Sequence, residues 1–254
     1  MNLNFNLELA KGYSSKSQIA RVLSEDWVLT NSYCPSCGEK KLNDYPNNKP
    51  VADFYCYNCQ SDFELKSSST SFRNKILDGS YQTMIDRISS YSNPHFFFLN
   101  YSKTYTTENF IVIPNHFFSP QIIEKRKPLS RYARRAGWIG CNIVLSSLPR
   151  TSKIYVVRQG QVSPKNEVIN QWNKAIFLKK NSMLARGWLI NIMACIDKLP
   201  CNEFSISEIY NFESYLKKKY PKNKFIKEKI RQQLQVLRNR GYIKFLGRGK
   251  YFKL

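Results

Sequence analysis

The 254 residues predict an α/β domain with an embedded four-cysteine metal site, followed by a smaller, more basic domain of three helices and a hairpin. Three observations carry the prediction. Helical and strand periodicities alternate over residues 1–182, two C-x-x-C pairs stand inside that stretch with 18 residues between them, and residues 183–254 hold successive helical stripes closed by a glycine-flanked turn.

In the first domain, "SQIARVLSEDWVLTNSY" places Ile19, Val22, Leu23 and Trp27 at helical spacing. "VADFYC" and "DFELKS" alternate as paired strands do, and "KILDGSYQTMIDRISSY" returns to a helical period. The short apolar runs "HFFFLNY", "FIVIP", "NIVL" and "KIYVV" have the dimensions of core strands. In the second domain "RGWLINIMACIDKL" reads as one helix, and Ser205 with Glu208 forms an S-x-x-E capping box that opens a second, "SISEIYNFESYLKKKY". The third, "NKFIKEKIRQQLQVLRNR", carries the stripe Ile226, Ile230, Leu234 and Leu237 and ends at Gly241. Two short strands around Gly247-Arg248-Gly249 complete the layout of a winged helix.

Composition narrows the partners. Forty lysines and arginines against 18 acids give a net charge of +22, with 16 basic residues against 5 acids in residues 186–254 alone. A fold does not require such an excess, whereas a polyanion does, and nucleic acid is the common one; an inert basic surface is the plain alternative. No apolar run approaches the roughly 18 to 20 residues of a membrane span, and "MNLNFNLELAKGY" lacks the features of a cleaved signal, so the expected location is the cytoplasm, without a membrane partner or a small-molecule cofactor. The seven cysteines are an odd number, and without a secretion signal they argue for metal rather than disulfides.

Cys34, Cys37, Cys56 and Cys59 fit the four-cysteine zinc template, each pair clamping the ion from a tight knuckle that Gly38 eases in the first. Four thiolates leave the ion no open position, so the expected Zn²⁺ is structural. His95 and His116 lie in apolar or loop contexts without a partner at ligand spacing and are expected to be structural, which leaves little for histidine-based catalysis.

Asp53, Glu64 and Lys66 make a different set. Glu64 and Lys66 share a face of one strand, and a paired neighbouring strand can bring Asp53 beside them. Two carboxylates suit Mg²⁺, which takes oxygen ligands and keeps waters, while a lysine nearby can hold a phosphate oxygen or favour a hydroxide. The set fits metal-assisted hydrolysis of a phosphodiester. Taken alone, an acid followed by E-x-K also describes a solvated strand face; the zinc knuckle, the α/β setting and the charge favour the site.

At these residues the chain resembles the PD-(D/E)XK nuclease superfamily, and within it the methyl-directed restriction endonucleases that carry a winged helix behind the nuclease domain. The resemblance is carried by "PVADFYC", "DFELKS", "NPHFFFL", "RRAGWIGCNI", "IKEKIRQQLQVLR" and "GRGKY" and covers nearly the whole chain. It implies Mg²⁺-dependent type II cleavage of duplex DNA at G-A-T-C sites bearing N6-methyladenine, with Asp53 and Glu64 on the metal and Lys66 as the catalytic lysine. One departure stands out: Ala52, not proline, precedes Asp53, and Pro50 lies three residues before it.

The DNA-facing candidates are the run "KRKPLSRYARR", of which Arg134 and Arg135 lead to Trp138, and, opposite the apolar stripe of the third helix, Lys224, Glu228, Arg231, Gln232 and Gln235, with Arg248 and Lys250 on the wing. Arg, Gln and Glu are the side chains that read base edges, and wing cations meet phosphate. A solvated basic turn, a core position for Trp138 and a solvated helix face are the alternatives. One methyl is worth about 0.8 kcal/mol by area, so strict dependence on methylation is easier when both adenine methyls, or both domains, contribute. The expected assembly is a monomer. The rival reading is a zinc-ribbon and winged-helix regulator that binds DNA without cutting it, which has no use for an acid-acid-lysine set; a third is a nuclease acting on RNA or structured DNA.

Overall fold

A computed structural model describes residues 1–46, 52–70, 74–90 and 93–254. Helix α1 (Lys16–Asn31) forms on the expected stripe and buries Leu23, Trp27 and Val28. The short strands β1 (Asn43–Asp44) and β2 (Phe54–Tyr55) precede β3 (Asp62–Ser68), and β4 (Lys75–Ser80) and α2 (Tyr81–Ser89) lie in the crossover to β5 (His95–Tyr101). Strands β6 (Thr107–Ile113), β7 (Ile123–Lys125), β8 (Gly140–Val144), β9 (Ile154–Arg158) and β10 (Gln161–Val162) and helix α3 (Lys165–Lys174) follow. The C-terminal region comprises α4 (Met183–Lys198), β11 (Glu203–Ser205), α5 (Ile206–Tyr210), α6 (Glu213–Lys219), α7 (Ile226–Asn239), β12 (Ile243–Gly247) and β13 (Lys250–Lys253).

The main sheet has the order β1-β2-β3-β5-β6-β9-β10, antiparallel except for the parallel pair β3–β5, which sets Glu64 opposite Phe96 and Lys66 opposite Phe98. A parallel pair needs a long connection, and β4 with α2 supplies it. All seven residues of β5 are buried, because successive side chains feed opposite cores. Phe97 and Leu99 pack with Trp27 and Phe110 on one side, while Phe96 and Phe98 join Phe118, Trp188 and Ile192 on the other. The second cluster runs on to Ile230, Leu234 and Leu237 of α7, so one continuous apolar core passes from the sheet through α4 into the C-terminal region. Helix α4 is accordingly buried from Gly187 through Ile196.

Two expectations are corrected. "KILDGSYQTMIDRISSY" is helical only from Tyr81; its first six residues form β4, which pairs antiparallel with β8 in the three-stranded sheet β4-β8-β7. Ser80, whose hydroxyl accepts from Thr83 N, caps α2 and marks the change. "SISEIYNFESYLKKKY" is two short helices with a turn at Asn211-Phe212. The break lets α5 pack on α7 while Tyr220, just past α6, stacks on Trp188 of α4 at 3.8 Å. The capping box is present as expected, with Ser205 and Glu208 bonded reciprocally. The hairpin also gains a third strand, β11, beside β13.

Candidate active site, metal centre and nucleic-acid face

The strand pair β2–β3 builds the catalytic candidate. Phe54 pairs with Phe63, and the Asp53 N–H donates to Phe63 O at 2.9 Å, so Asp53 comes opposite Glu64 at the edge of the pair. Asp53 Oδ2 accepts from Leu65 N at 2.6 Å. Glu64 Oε1 takes Lys66 Nζ at 2.7 Å and its Oε2 takes Arg87 Nη2 from α2 at 2.8 Å. Lys66 Nζ also donates to Asp78 Oδ1 of β4 at 2.7 Å. Asp53, Glu64 and Lys66 thus share one partly buried cluster, with Asp78 and Arg87 added.

The cluster sets neighbouring carboxylates beside two cations. Burial pushes the Asp53 carboxyl up, the Leu65 N–H opposes the rise and the neighbouring Glu64 charge adds to it. Burial likewise raises Glu25 of α1, with Arg21 opposing and Asp53 adding. A divalent ion at the Asp53–Glu64 pair would relieve that repulsion, which is the fit expected of oxygen ligands for Mg²⁺. Burial works against the charge on Lys66, but Glu64 and Asp78 outweigh it and hold its pKa above the ordinary lysine range. Asp78, Arg87 and Glu25 escape a sequence reading, because nothing local marks them: Asp78 lies in the segment read as helix, and only the β4–β8 pairing turns it toward Lys66.

The four cysteines converge. Their sulfurs lie within 4.8 Å of one another, with Cys34–Cys59 and Cys37–Cys56 at 3.6 Å. A tetrahedral zinc with Zn–S bonds of about 2.3 Å separates its sulfurs by about 3.8 Å, whereas a disulfide needs about 2.0 Å. The cluster therefore suits a structural zinc ion. The two knuckles share one backbone design: Gly38 N donates to Cys34 O and Gln60 N to Cys56 O, with φ of +81° and +56° at these equivalent positions. Gly38 also faces Ile169 of α3, which an added Cβ would meet at 2.9 Å. Asn58 Nδ2 donates to Cys37 Sγ at 3.5 Å, supporting a ligand from outside. Burial pushes the Cys34 thiol up; at Cys59 burial acts the same way, but hydrogen bonds with Ser61, Cys37 and Cys34 together outweigh it and bring the thiol down to about 7. The second knuckle is itself the β2–β3 turn, between Tyr55 and Asp62.

Both histidines are buried, and the His95 ring packs on Phe63 of β3 at 5.4 Å. His95 Nδ1 accepts from Asn115 N at 2.9 Å, as expected of a structural group, and burial holds its pKa well below the usual value. His116 departs from the expectation of a satisfied side chain, since its Nε2 is buried without a hydrogen-bond partner; burial lowers its pKa to about 3. Ala52, before Asp53, is buried, and Pro50 lies outside the described residues.

The basic loop extends the β7–β8 hairpin, closed by Arg126 N to Gly140 O and Leu129 N to Trp138 O. Arg134 and Arg135 are exposed, and Tyr132 stands 83% exposed with Arg131 stacked on its ring. Trp138 is neither core nor free: it is half-buried, its ring laid on Gly140 where an added Cβ would come within 2.8 Å. On α7, Glu228, Arg231, Gln232 and Gln235 are exposed and lie opposite the buried stripe. Lys224 is a correction: it is exposed but precedes the helix, which begins at Ile226 after Phe225 because Asn223 Oδ1 takes the Phe225 N–H instead. Arg231 bonds Glu228 and Tyr210, and Lys250 pairs with Glu203 at 3.2 Å. Arg248 projects from the turn with a φ of +47° between two glycines of positive φ.

Residues 1–181 match the family model described as DpnI, Dam-replacing family, and residues 184–253 match the Dam-replacing HTH domain. The chain belongs to the DpnI Dam-replacing family. Membership of this family implies restriction endonuclease activity, and its helix-turn-helix domain implies binding to DNA. Among the described residues no helix is long and apolar enough to cross a membrane.

Proposed function

We propose that this chain is a Mg²⁺-dependent, methyl-directed type II restriction endonuclease that hydrolyses phosphodiesters of duplex DNA at G-A-T-C sites carrying N6-methyladenine. The observation that carries the reading is the grouping of Asp53, Glu64 and Lys66 on two hydrogen-bonded strands in a DpnI-family chain. Asp53 and Glu64 would hold the cation. When bound, Mg²⁺ supplies Lewis-acid polarisation of the phosphate and an oriented water. Lys66 presents an ammonium where negative charge gathers on the phosphate oxygens. The Cys56–Cys59 knuckle fixes the β2–β3 turn and with it the spacing of Asp53 from Glu64, so zinc would support the site without taking part in the reaction.

Recognition would be divided between the two regions. Arg134, Arg135, Arg248 and Lys250 suit phosphates, while Trp138 and the face of α7 suit the major groove, where both adenine methyls of the site lie. A single methylene discriminates roughly 10 to 200-fold in a pocket, so reading both methyls is the economical route to strict dependence. The test is digestion of fully methylated, hemimethylated and unmethylated G-A-T-C duplexes at one salt concentration, with and without Mg²⁺. Cutting should decline in that order and vanish without the ion; equal rates on the first and last would leave only a nuclease without methyl direction.

A further inference from the structure

Asp78 has no place in the acid-acid-lysine set, yet it is built into the same cluster. Its side chain is only 6% exposed, and its Oδ1 receives both Lys66 Nζ at 2.7 Å and Gly79 N at 2.8 Å. Its Oδ2 is buried without a hydrogen-bond partner. The residue comes from the other sheet: β4 pairs with β8, and the register between them shifts between Asp78 and Ser80. Such an irregularity re-aims a side chain, and here it accompanies an acid turned out of its own sheet toward a lysine of the main one.

The partners of Lys66 and Glu64 show why this matters. Glu64 offers one oxygen to Lys66 and the other to Arg87, so a cation taken up at Oε1 would displace Lys66 from it. Lys66 then keeps a single anionic anchor, and that anchor is Asp78. A flexible lysine side chain without one would sample many rotamers, and small misplacements of a catalytic group are costly.

We infer that Asp78 is the positioning residue for Lys66, holding its ammonium in place once Glu64 turns to the metal. The inference rests on the nuclease reading above and adds a fourth residue to it, one that acts through Lys66. Asp78→Asn keeps the shape and an acceptor but removes the charge, whereas Asp78→Ala removes both. Under saturating methylated duplex and Mg²⁺, Asp78→Asn should lower kcat about 100-fold with KM and DNA affinity unchanged. Because Asp78 acts through Lys66, adding Asp78→Ala to Lys66→Ala should cost no more than about twofold in single-turnover rate beyond Lys66→Ala alone. A readout independent of cutting is acylation of Lys66 by an amine reagent in Mg²⁺, followed by peptide mass spectrometry, which should accelerate about tenfold in Asp78→Asn as one charge-assisted bond is lost. Zinc content and the circular dichroism spectrum identify any variant that has failed to fold. An Asp78→Asn enzyme that cuts at the wild-type rate, or whose Lys66 is acylated no faster, overturns the role while leaving the nuclease reading intact. A wild-type chain that cuts nothing in Mg²⁺ overturns both.

Discussion

Two groups of charged side chains divide this molecule, and they are organised on opposite principles. Around Glu64 each charge is partly buried and bonded to an opposite one: Lys66 lies between Glu64 and Asp78, and Arg87 closes on the remaining Glu64 oxygen. On α7 and the wing the charges are exposed, and their contacts are neighbours on the same surface, such as Glu228 with Arg231 and Glu203 with Lys250. Exposed pairs of that kind are worth about 0 to 1 kcal/mol each and are screened by salt, so they exchange partners readily. The first group is fixed by its mutual bonds and leaves little room for displacement; the second is a surface whose pairs can exchange for solvent or for other anions.

Removing one member of each group should therefore have different consequences. The largest effect is expected at Asp53: Asp53→Asn should reduce cutting by on the order of 1000-fold or more while duplex affinity, measured by fluorescence anisotropy in Ca²⁺, stays within a factor of two. Cutting at near the wild-type rate would remove Asp53 from the site. Next comes the knuckle that spaces the two carboxylates. Cys56→Ser should lower zinc from about one ion per chain and destabilise the fold by several kcal/mol in urea unfolding, with activity falling alongside. Active wild-type protein purified without zinc would break that link. The smallest effect belongs to the exposed group: Arg248→Ala should weaken binding of methylated and unmethylated duplex alike and reduce the slope of log affinity against log salt by about 1. A loss confined to methylated sites would instead make Arg248 part of methyl recognition.

The core teaches a related lesson about the boundary between the regions. Family matches divide the chain near residue 182, but Phe96, Phe98, Trp188 and Leu234 belong to one apolar cluster. Helix α4 is buried over its central ten residues because it serves both sides. The winged-helix surface is thereby carried on the same packed core as the seven-stranded sheet that holds Glu64 and Lys66.

Much of this was legible in the sequence because it depends on local spacing. Two C-x-x-C pairs dictate two knuckles, since cysteines separated by two residues on a tight turn can aim at one point. The stripe Ile226, Ile230, Leu234 and Leu237 dictates a helix with a defined exposed face, and alternation through "DFELKS" places Glu64 and Lys66 together. What tertiary structure alone decided lies where distant segments choose each other. The pairing of β4 with β8 overrode the helical period read through "KILDGS", and with it brought Asp78 to Lys66; Arg87 reached Glu64 from α2, which packs on the β4-β8-β7 sheet. Lys224 fell outside α7 because an Asn223 side chain captured a backbone N–H at the helix entrance. A periodic pattern reports which face of an element is apolar, but not which partner will cover it; that choice is made by long-range packing, and the second layer around this site is made of such choices.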